Sequence, residues 1–106
     1  STVGRINIIK ELSIFIMEHG RDEERAVINH IADTVMETIR NLVLREGLND
    51  ETATVILKTL SSVRELGREP ELKALQNVVY LYYTNQLKPN CSKKLLEEVY
   101  LYLNFQ

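Results

Sequence analysis

The chain has 106 residues, enough for one domain with its own hydrophobic core and no need of stabilising disulfides. Its net charge of −2, with acidic and basic residues mixed along the chain, argues against a dedicated nucleic-acid-binding protein. The single cysteine excludes an internal disulfide, and no apolar run approaches the roughly 18 residues of a membrane span, so we expect a cytoplasmic protein.

The first predicted helix covers residues 5–19 and is apolar around most of its circumference. On a helical wheel, the clearly polar side chains, Asn7, Glu11 and Glu18, fall within a narrow strip. A strand alternative for its isoleucine-rich segments is disfavoured because these segments do not alternate cleanly. A helix with so little polar surface lies either at the centre of the core or against another subunit.

The second predicted helix covers residues 23–46 and is the longest helical pattern in the chain. Its apolar residues occupy about half of the wheel, which is more than one neighbouring helix can cover. Asp22 is the expected N-cap and Gly47 the expected stop. We therefore expect this helix to be the central element, packed by two or more others.

The second half of the chain contains three further predicted helices, at residues 50–66, 70–87 and 92–104. The first of them begins at Asn49 or Asp50 and ends at Gly67, and the next ends before Pro89. The last is capped by Ser92 or Asn90 and ends in a segment that alternates almost as a strand would. Helix is favoured there because no partner strand is predicted.

Short links between the predicted helices make consecutive helices antiparallel neighbours. The sequence therefore predicts an all-α fold, a compact bundle of about five antiparallel helices forming a single domain over residues 1–106. The helices at 5–19, 23–46 and 70–87 are expected to be the most buried.

The sequence holds little that resembles a catalytic or metal site. It contains no HExxH, CxxC, P-loop or GxGxxG motif and no Glu-x-x-His repeat of the di-iron bundles. His30, Asp33 and Glu37 share one side of the second helix, where a metal site or a phosphorylatable histidine is conceivable. A solvated charged face is the favoured interpretation. We predict no enzymatic activity, no catalytic residue, no metal and no cofactor.

The remaining reactive side chains are His19 and Cys91. His19 falls at the C-terminal end of the first helix, where a half-buried imidazole would meet the negative end of the helix dipole. Cys91 precedes the last helix, and the helix N-terminus together with Lys93 and Lys94 is expected to lower the pKa of its thiol. With no histidine nearby in the sequence to act as a base, Cys91 is not predicted to be a nucleophile.

Tyrosine is the conspicuous excess, since all five tyrosines lie in the segments 80–83 and 100–102. A tight link containing Pro89 places these segments side by side, and tyrosine suits protein interfaces. A nucleic-acid surface would need more basic residues beside the tyrosines than the three lysines present. The candidate partner interface consists of Tyr80, Leu81, Tyr83, Tyr100, Leu101 and Phe105.

The run Tyr82-Tyr83-Thr84-Asn85-Gln86-Leu87-Lys88, followed by a last helix, resembles the junction of helices 3 and 4 in small bacteriocin immunity proteins of the enterocin type. The resemblance implies an antiparallel four-helix bundle and an immunity function. The first 50 residues of this chain are longer than the plan of those proteins allows.

The sequence thus predicts a non-enzymatic protein–protein interaction module, a small adaptor or regulator that associates with itself, as a homodimer. The alternatives are a bacteriocin-immunity-like bundle and a nucleic-acid-associated accessory protein.

Overall fold

A computed structural model describes residues 1–104, and every named secondary-structure element in that range is an α-helix. The helices are α1 (Thr2–His19), α2 (Arg25–Glu46), α3 (Asp50–Thr59), α4 (Ser61–Arg64), α5 (Glu69–Tyr83) and α6 (Lys93–Asn104). They pack into one compact bundle, which confirms the all-α prediction.

Contacts between the helices fix their directions. The Thr2 hydroxyl donates to Glu46 Oε1 at 2.7 Å, which brings the start of α1 to the end of α2 and makes the two helices antiparallel. Tyr83 of α5 stacks on Tyr100 of α6, and Gln76, earlier in α5, donates to Leu103 O, later in α6, so these helices are antiparallel as well. The pairs α1/α2 and α5/α6 are therefore antiparallel, as predicted, whereas α3 and α4 meet at the single residue Leu60, which keeps a helical backbone.

The core is centred on α2, which packs against α1, α3, α4 and α5. Its buried residues follow helical spacing along one broad face, which confirms the prediction of a central helix with several neighbours. They are Ile28, Ala32, Val35, Met36, Ile39, Leu42 and Val43. Gly47 ends α2 with φ of +87°, a backbone conformation that residues other than glycine rarely adopt.

The start of α2 was predicted wrongly. Asp22 does not cap it, because the backbone N–H groups of Asp22 and Glu23 both donate to His19 O and so extend the turn that follows α1. The helix begins at Arg25, with Glu24 in the N-cap position and no capping bond from its side chain.

One predicted helix, at residues 50–66, is two short helices that meet at Leu60. Although Arg64 N–H still donates to Leu60 O, several hydrogen bonds around α4 join residues three apart, as in Val63 N–H to Leu60 O and Leu66 N–H to Val63 O. Such bonds tighten the chain into a turn rather than continuing the α-helix. The hydroxyls of Thr59 and Ser62 compete for backbone carbonyls at the same place, which helps to explain the break.

The predicted end of the fourth helix, residue 87, is also wrong, since α5 ends at Tyr83. Asn85 adopts φ of +63°, which turns the chain out of the helix before Pro89 can act. Thr84 supports this end by donating its hydroxyl to Tyr80 O.

Burial is distributed differently from the expectation. Half of the ten residues of α3 are buried, but only four of eighteen in α1 and three of fifteen in α5. The reason is position: α3 lies among α1, α2, α4 and α6, while α1 lies at the edge of the bundle. The prediction that α1 and α5 belong to the most buried helices is therefore wrong.

Candidate protein-interaction surface

Packing of α5 against α2 and α6 decides which tyrosines reach the surface. Leu75, Val79 and Tyr82 form the buried stripe of α5. Tyr80 and Tyr83, which lie three residues apart on the same side of the helix, are outside that stripe and emerge beside α6. Gln76 lies one turn earlier and donates its amide to Leu103 O, which holds α6 against this flank.

Three tyrosines meet where α5 and α6 run together. The rings of Tyr83 and Tyr100 stack with centroids 3.8 Å apart and an angle of 7° between their planes. The Tyr80 ring lies 6.5 Å from the Tyr100 ring at an angle of 38°. Tyr80 is 48% and Tyr83 41% exposed, so the cluster presents aromatic faces and edges to solvent. We call Tyr80, Tyr83 and Tyr100 the tyrosine surface.

The link between α5 and α6 is anchored to the rest of the bundle. The backbone N–H of Asn90 donates to Leu48 O at 2.8 Å, in the turn between α2 and α3. Ser92 Oγ accepts from Leu95 N–H at 3.1 Å and so caps α6, as predicted. The register of α6, and with it the position of Tyr100, is therefore set by contacts outside the tyrosine surface.

Tyr102 has a different role from its neighbours. Its carbonyl accepts a hydrogen bond from Arg64 Nη1, and the Arg64 guanidinium lies 4.6 Å from the centre of its ring. These contacts join α4 to α6 and make Tyr102 part of the framework that holds the tyrosine surface in place.

The other predicted interface residues lie elsewhere. Leu81 is partly buried and stands about 160° around α5 from Tyr83, since each residue adds roughly 100°. Leu101 is 44% exposed and borders a shallow groove along α6 that Lys94 and Glu98 also line. Phe105 lies outside the described residues. The structure thus brings together three of the six candidates.

The side chains of the conceivable metal site on α2 are engaged in other ways. Arg68 Nε and Nη2 donate to the two carboxylate oxygens of Asp33 at 2.9 and 2.7 Å. This charge-assisted hydrogen bond, with the guanidinium charge, holds the pKa of Asp33 below its usual value. Within residues 1–104, no group of three or more His, Cys, Asp and Glu side chains could hold a metal ion. His30 and Glu37 are exposed.

The expectation for the Cys91 thiol is wrong. Its pKa is raised, chiefly because the side chain is partly buried against the core and secondly because the Asp50 carboxylate is near. Lys93 and Lys94 are exposed on α6 and do not offset these two effects. Cys91 is therefore a weakly reactive packing residue.

His19 behaves much as expected at the end of α1. Its side chain is 48% exposed, and its ring packs against that of Phe15 with centroids 4.9 Å apart. The Nε2 atom lies 3.9 Å from the carboxylate of Glu18. The arrangement is a local helix-end contact.

A set of exposed apolar residues on α1 was not singled out from the sequence. Val3, Ile8, Ile14 and Met17 are each more than half exposed. Three of them, Val3, Ile14 and Met17, belong to the series of positions 3, 7, 10, 14 and 17, which alternates steps of four and three as an interhelical stripe does; positions 7 and 10 of that series are polar.

None of the described helices is long and apolar enough to cross a bilayer.

In comparisons with protein-family models, curated proteins and solved structures, the chain matches none. Its function must be inferred from its own residues.

Proposed function

We propose that this chain is a non-enzymatic protein–protein interaction module, a small adaptor or regulator that binds a protein partner through the tyrosine surface. The observation that carries the proposal is the stacked pair Tyr83 and Tyr100, which remains accessible to solvent with Tyr80 beside it. Tyrosine is enriched at interface centres because it offers a large apolar area and a polar tip.

The geometry supports binding because the aromatic residues are already ordered. Tyr83 and Tyr100 fix each other by stacking, and both stand on helices packed against the core. Immobilising a side chain on binding costs roughly 0.5–1.5 kcal/mol, and preorganised side chains avoid most of this cost. An interface built on them therefore loses less conformational entropy than one built on flexible side chains.

Polar residues surround the tyrosines. On α6, Lys93, Glu97 and Asn104 lie seven and three residues before and four residues after Tyr100, on the same side of the helix. An aromatic centre with a polar rim of mixed charge is the usual composition of a protein–protein interface. The mixture of signs favours a protein over a nucleic acid as the partner.

We propose further that the chain lies in the cytoplasm and associates with itself. The exposed apolar residues of α1 support a homo-oligomer, because exposed apolar surface concentrated on one element of a small domain often marks an interface. A single partly buried cysteine is compatible with a reducing compartment.

The partnership is tested by affinity capture from the native host with wild type, a Tyr80→Ala/Tyr83→Ala variant and a Leu44→Ala control. Leu44 is 55% exposed on α2 and lies outside the tyrosine surface. We expect one protein to be captured by wild type and by the control but not by the tyrosine variant. With that partner purified, calorimetry should show at least about a thirtyfold weaker affinity for the tyrosine variant, the size of an interface hot spot.

Circular dichroism must show that all three proteins fold alike. The proposal would be contradicted if wild type and the tyrosine variant captured the same proteins equally. It would also be contradicted if every protein captured by the control were captured by the tyrosine variant as well.

A further inference from the structure

Helix α1 carries two adjacent stripes with the spacing of an interhelical seam. Residues of the first stripe occur in steps of four and three and face the core of the same chain. They are Thr2, Ile6, Ile9, Ser13 and Ile16, of which the last four are buried. The second stripe has the same spacing, displaced by one residue. It consists of Val3, Asn7, Lys10, Ile14 and Met17, and all five are exposed.

We infer that the second stripe pairs with the same stripe of a second copy of this chain, so that two α1 helices pack antiparallel across a two-fold axis. The inference rests on the self-association in the proposed function and specifies its surface; it does not involve the tyrosine surface. The order of side chains along the stripe argues for this occupant, and the area that the stripe offers sets how tightly it can bind.

The order of side chains is complementary to itself in one antiparallel register. When Asn7 of one copy is aligned with Lys10 of the other, Val3 is aligned with Ile14, and the two-fold axis repeats both pairs. The central layers then pair an amide oxygen with an ammonium group, and the flanking layers are apolar. Polar pairs at the centre of the seam, flanked by apolar pairs, specify register, as a single asparagine does in coiled coils.

The parallel arrangement is disfavoured by the same residues. In a parallel two-fold pair, Lys10 would face Lys10 of the other copy, and two ammonium groups would approach each other in a partly desolvated seam. In the antiparallel pair each Lys10 faces Asn7 instead, and the helix dipoles oppose each other.

The available area indicates a modest affinity. The stripe from residue 3 to residue 17 is about 21 Å long at 1.5 Å per residue. One helix pair of this length buries less than the roughly 800 Å² per partner of a standard interface, even with contributions from the edges of α3 and α4 beside α1. We therefore expect a weak dimer that dissociates on dilution.

Sedimentation equilibrium from roughly 1 to 500 μM protein tests the surface. The Ile14→Glu variant places a charge in each Val3–Ile14 pair of the proposed dimer. Leu44→Glu is the matched control, because Leu44 is 55% exposed and Ile14 is 51% exposed in the wild type. We expect wild type and Leu44→Glu to dimerise and Ile14→Glu to dimerise at least about a hundredfold more weakly, because both copies carry the buried charge. Circular dichroism checks that each variant is folded.

Disulfide trapping tests the direction of the helices. In a Cys91→Ser background, Val3→Cys and Ile14→Cys proteins are mixed under mild oxidation. The antiparallel register predicts a mixed disulfide between positions 3 and 14, faster than either homodimeric disulfide. Preferential linkage of two Val3→Cys chains would overturn the register.

The outcomes separate this inference from the proposed function. A dimer that Ile14→Glu leaves intact overturns the α1 surface while self-association stands. A strict monomer over the whole concentration range overturns both the α1 surface and self-association, and partner binding through the tyrosine surface is decided by its own variants.

Discussion

The Asp33–Arg68 pair shows how one contact decides between two interpretations of the same residue. From the sequence, Asp33 belongs to a conceivable site with His30 and Glu37. In the fold, both carboxylate oxygens of Asp33 accept from Arg68, at the N-cap position of α5. The carboxylate therefore joins α2 to α5 and is not free to bind a ligand.

This pair predicts a pH-dependent stability. Because the pKa of Asp33 is lowered in the folded state, its contribution is fully present above the unfolded pKa of about 3.9 and is lost as the pH falls through the folded value. Asp33→Asn should therefore lower the free energy of unfolding at pH 7, and its difference from wild type should shrink below about pH 4. Urea unfolding across this pH range measures it. Glu37→Gln, an exposed carboxylate on the same helix, should follow the wild-type profile.

Cys91 provides a second electrostatic prediction. Burial and the Asp50 carboxylate both raise the thiol pKa, with burial the larger cause. Asp50→Asn should shift the titration of the thiol to lower pH without returning it to the value of the unfolded chain. The ultraviolet absorbance of the thiolate, followed against pH, reports this midpoint, and Glu51→Gln is the neighbouring control. A folded midpoint at or below the unfolded one would show that burial does not dominate.

Ser13 has a buried hydroxyl for which the described part of the chain supplies no hydrogen-bond partner. A buried polar group in this state destabilises the fold, and alanine also has the higher helix propensity. Ser13→Ala should therefore raise the free energy of unfolding by about 1 kcal/mol in urea titrations. Ser62→Ala, which removes a hydroxyl that donates to Thr59 O, should not stabilise the protein. A Ser13→Ala protein less stable than wild type would point to a bond that this hydroxyl makes.

Local sequence patterns predict the helices, and the position of each helix end depends on which terminating signal comes first along the chain. Helical periodicity predicts the long helices α2 and α5, because the apolar faces of 22-residue and 15-residue helices are long enough to be unambiguous. The start of α2 differs from the prediction because Asp22 belongs to the turn after α1. The end of α5 differs because Asn85, in a left-handed conformation, ends the helix before Pro89. The break at Leu60 depends on side-chain bonds that composition does not reveal.

The start of α3 is the best-defined helix end. Asn49 Oδ1 accepts from Thr52 N–H at 2.9 Å, and Thr52 Oγ1 accepts from Asn49 N–H at 3.0 Å, which completes a capping box. Thr52 is buried, so removing the Asn49 side chain would leave the Thr52 N–H without an acceptor and out of reach of bulk water. Asn49→Ala should cost about 1–2 kcal/mol in the free energy of unfolding. Asn77→Ala, on the exposed side of α5, should change it by less than about 0.5 kcal/mol.

Assembly of the whole bundle explains why the tyrosine surface was only partly predictable. Tyr80 and Tyr83 are three residues apart, so they lie on one side of α5, and this can be seen in the sequence. Their contact with Tyr100 depends on the register of α6, which is set by the Asn90 bond to Leu48 and by Arg64 at Tyr102. Leu81, also predicted at the interface, is separated from Tyr83 by about 160° around α5.

The edge position of α1 is likewise a property of the assembly. The sequence allowed α1 to be either central or covered by another subunit, and the fold places it at the edge of the bundle, beside α2, α3 and α4, with one face in the core. Its exposed stripe then lies on a different helix from the tyrosine surface. Partner binding and self-association are therefore proposed at separate sites.

Partner binding through the tyrosine surface is tested most directly by site-specific photo-crosslinking in the native host. A photoreactive phenylalanine analogue replaces Tyr80 in one protein and Leu44 in another, since both side chains are exposed and lie on different helices. We predict that the probe at position 80 crosslinks one discrete protein other than this chain, and that the probe at position 44 does not. Crosslinks of equal pattern and yield at both positions, or none at position 80, would contradict the account.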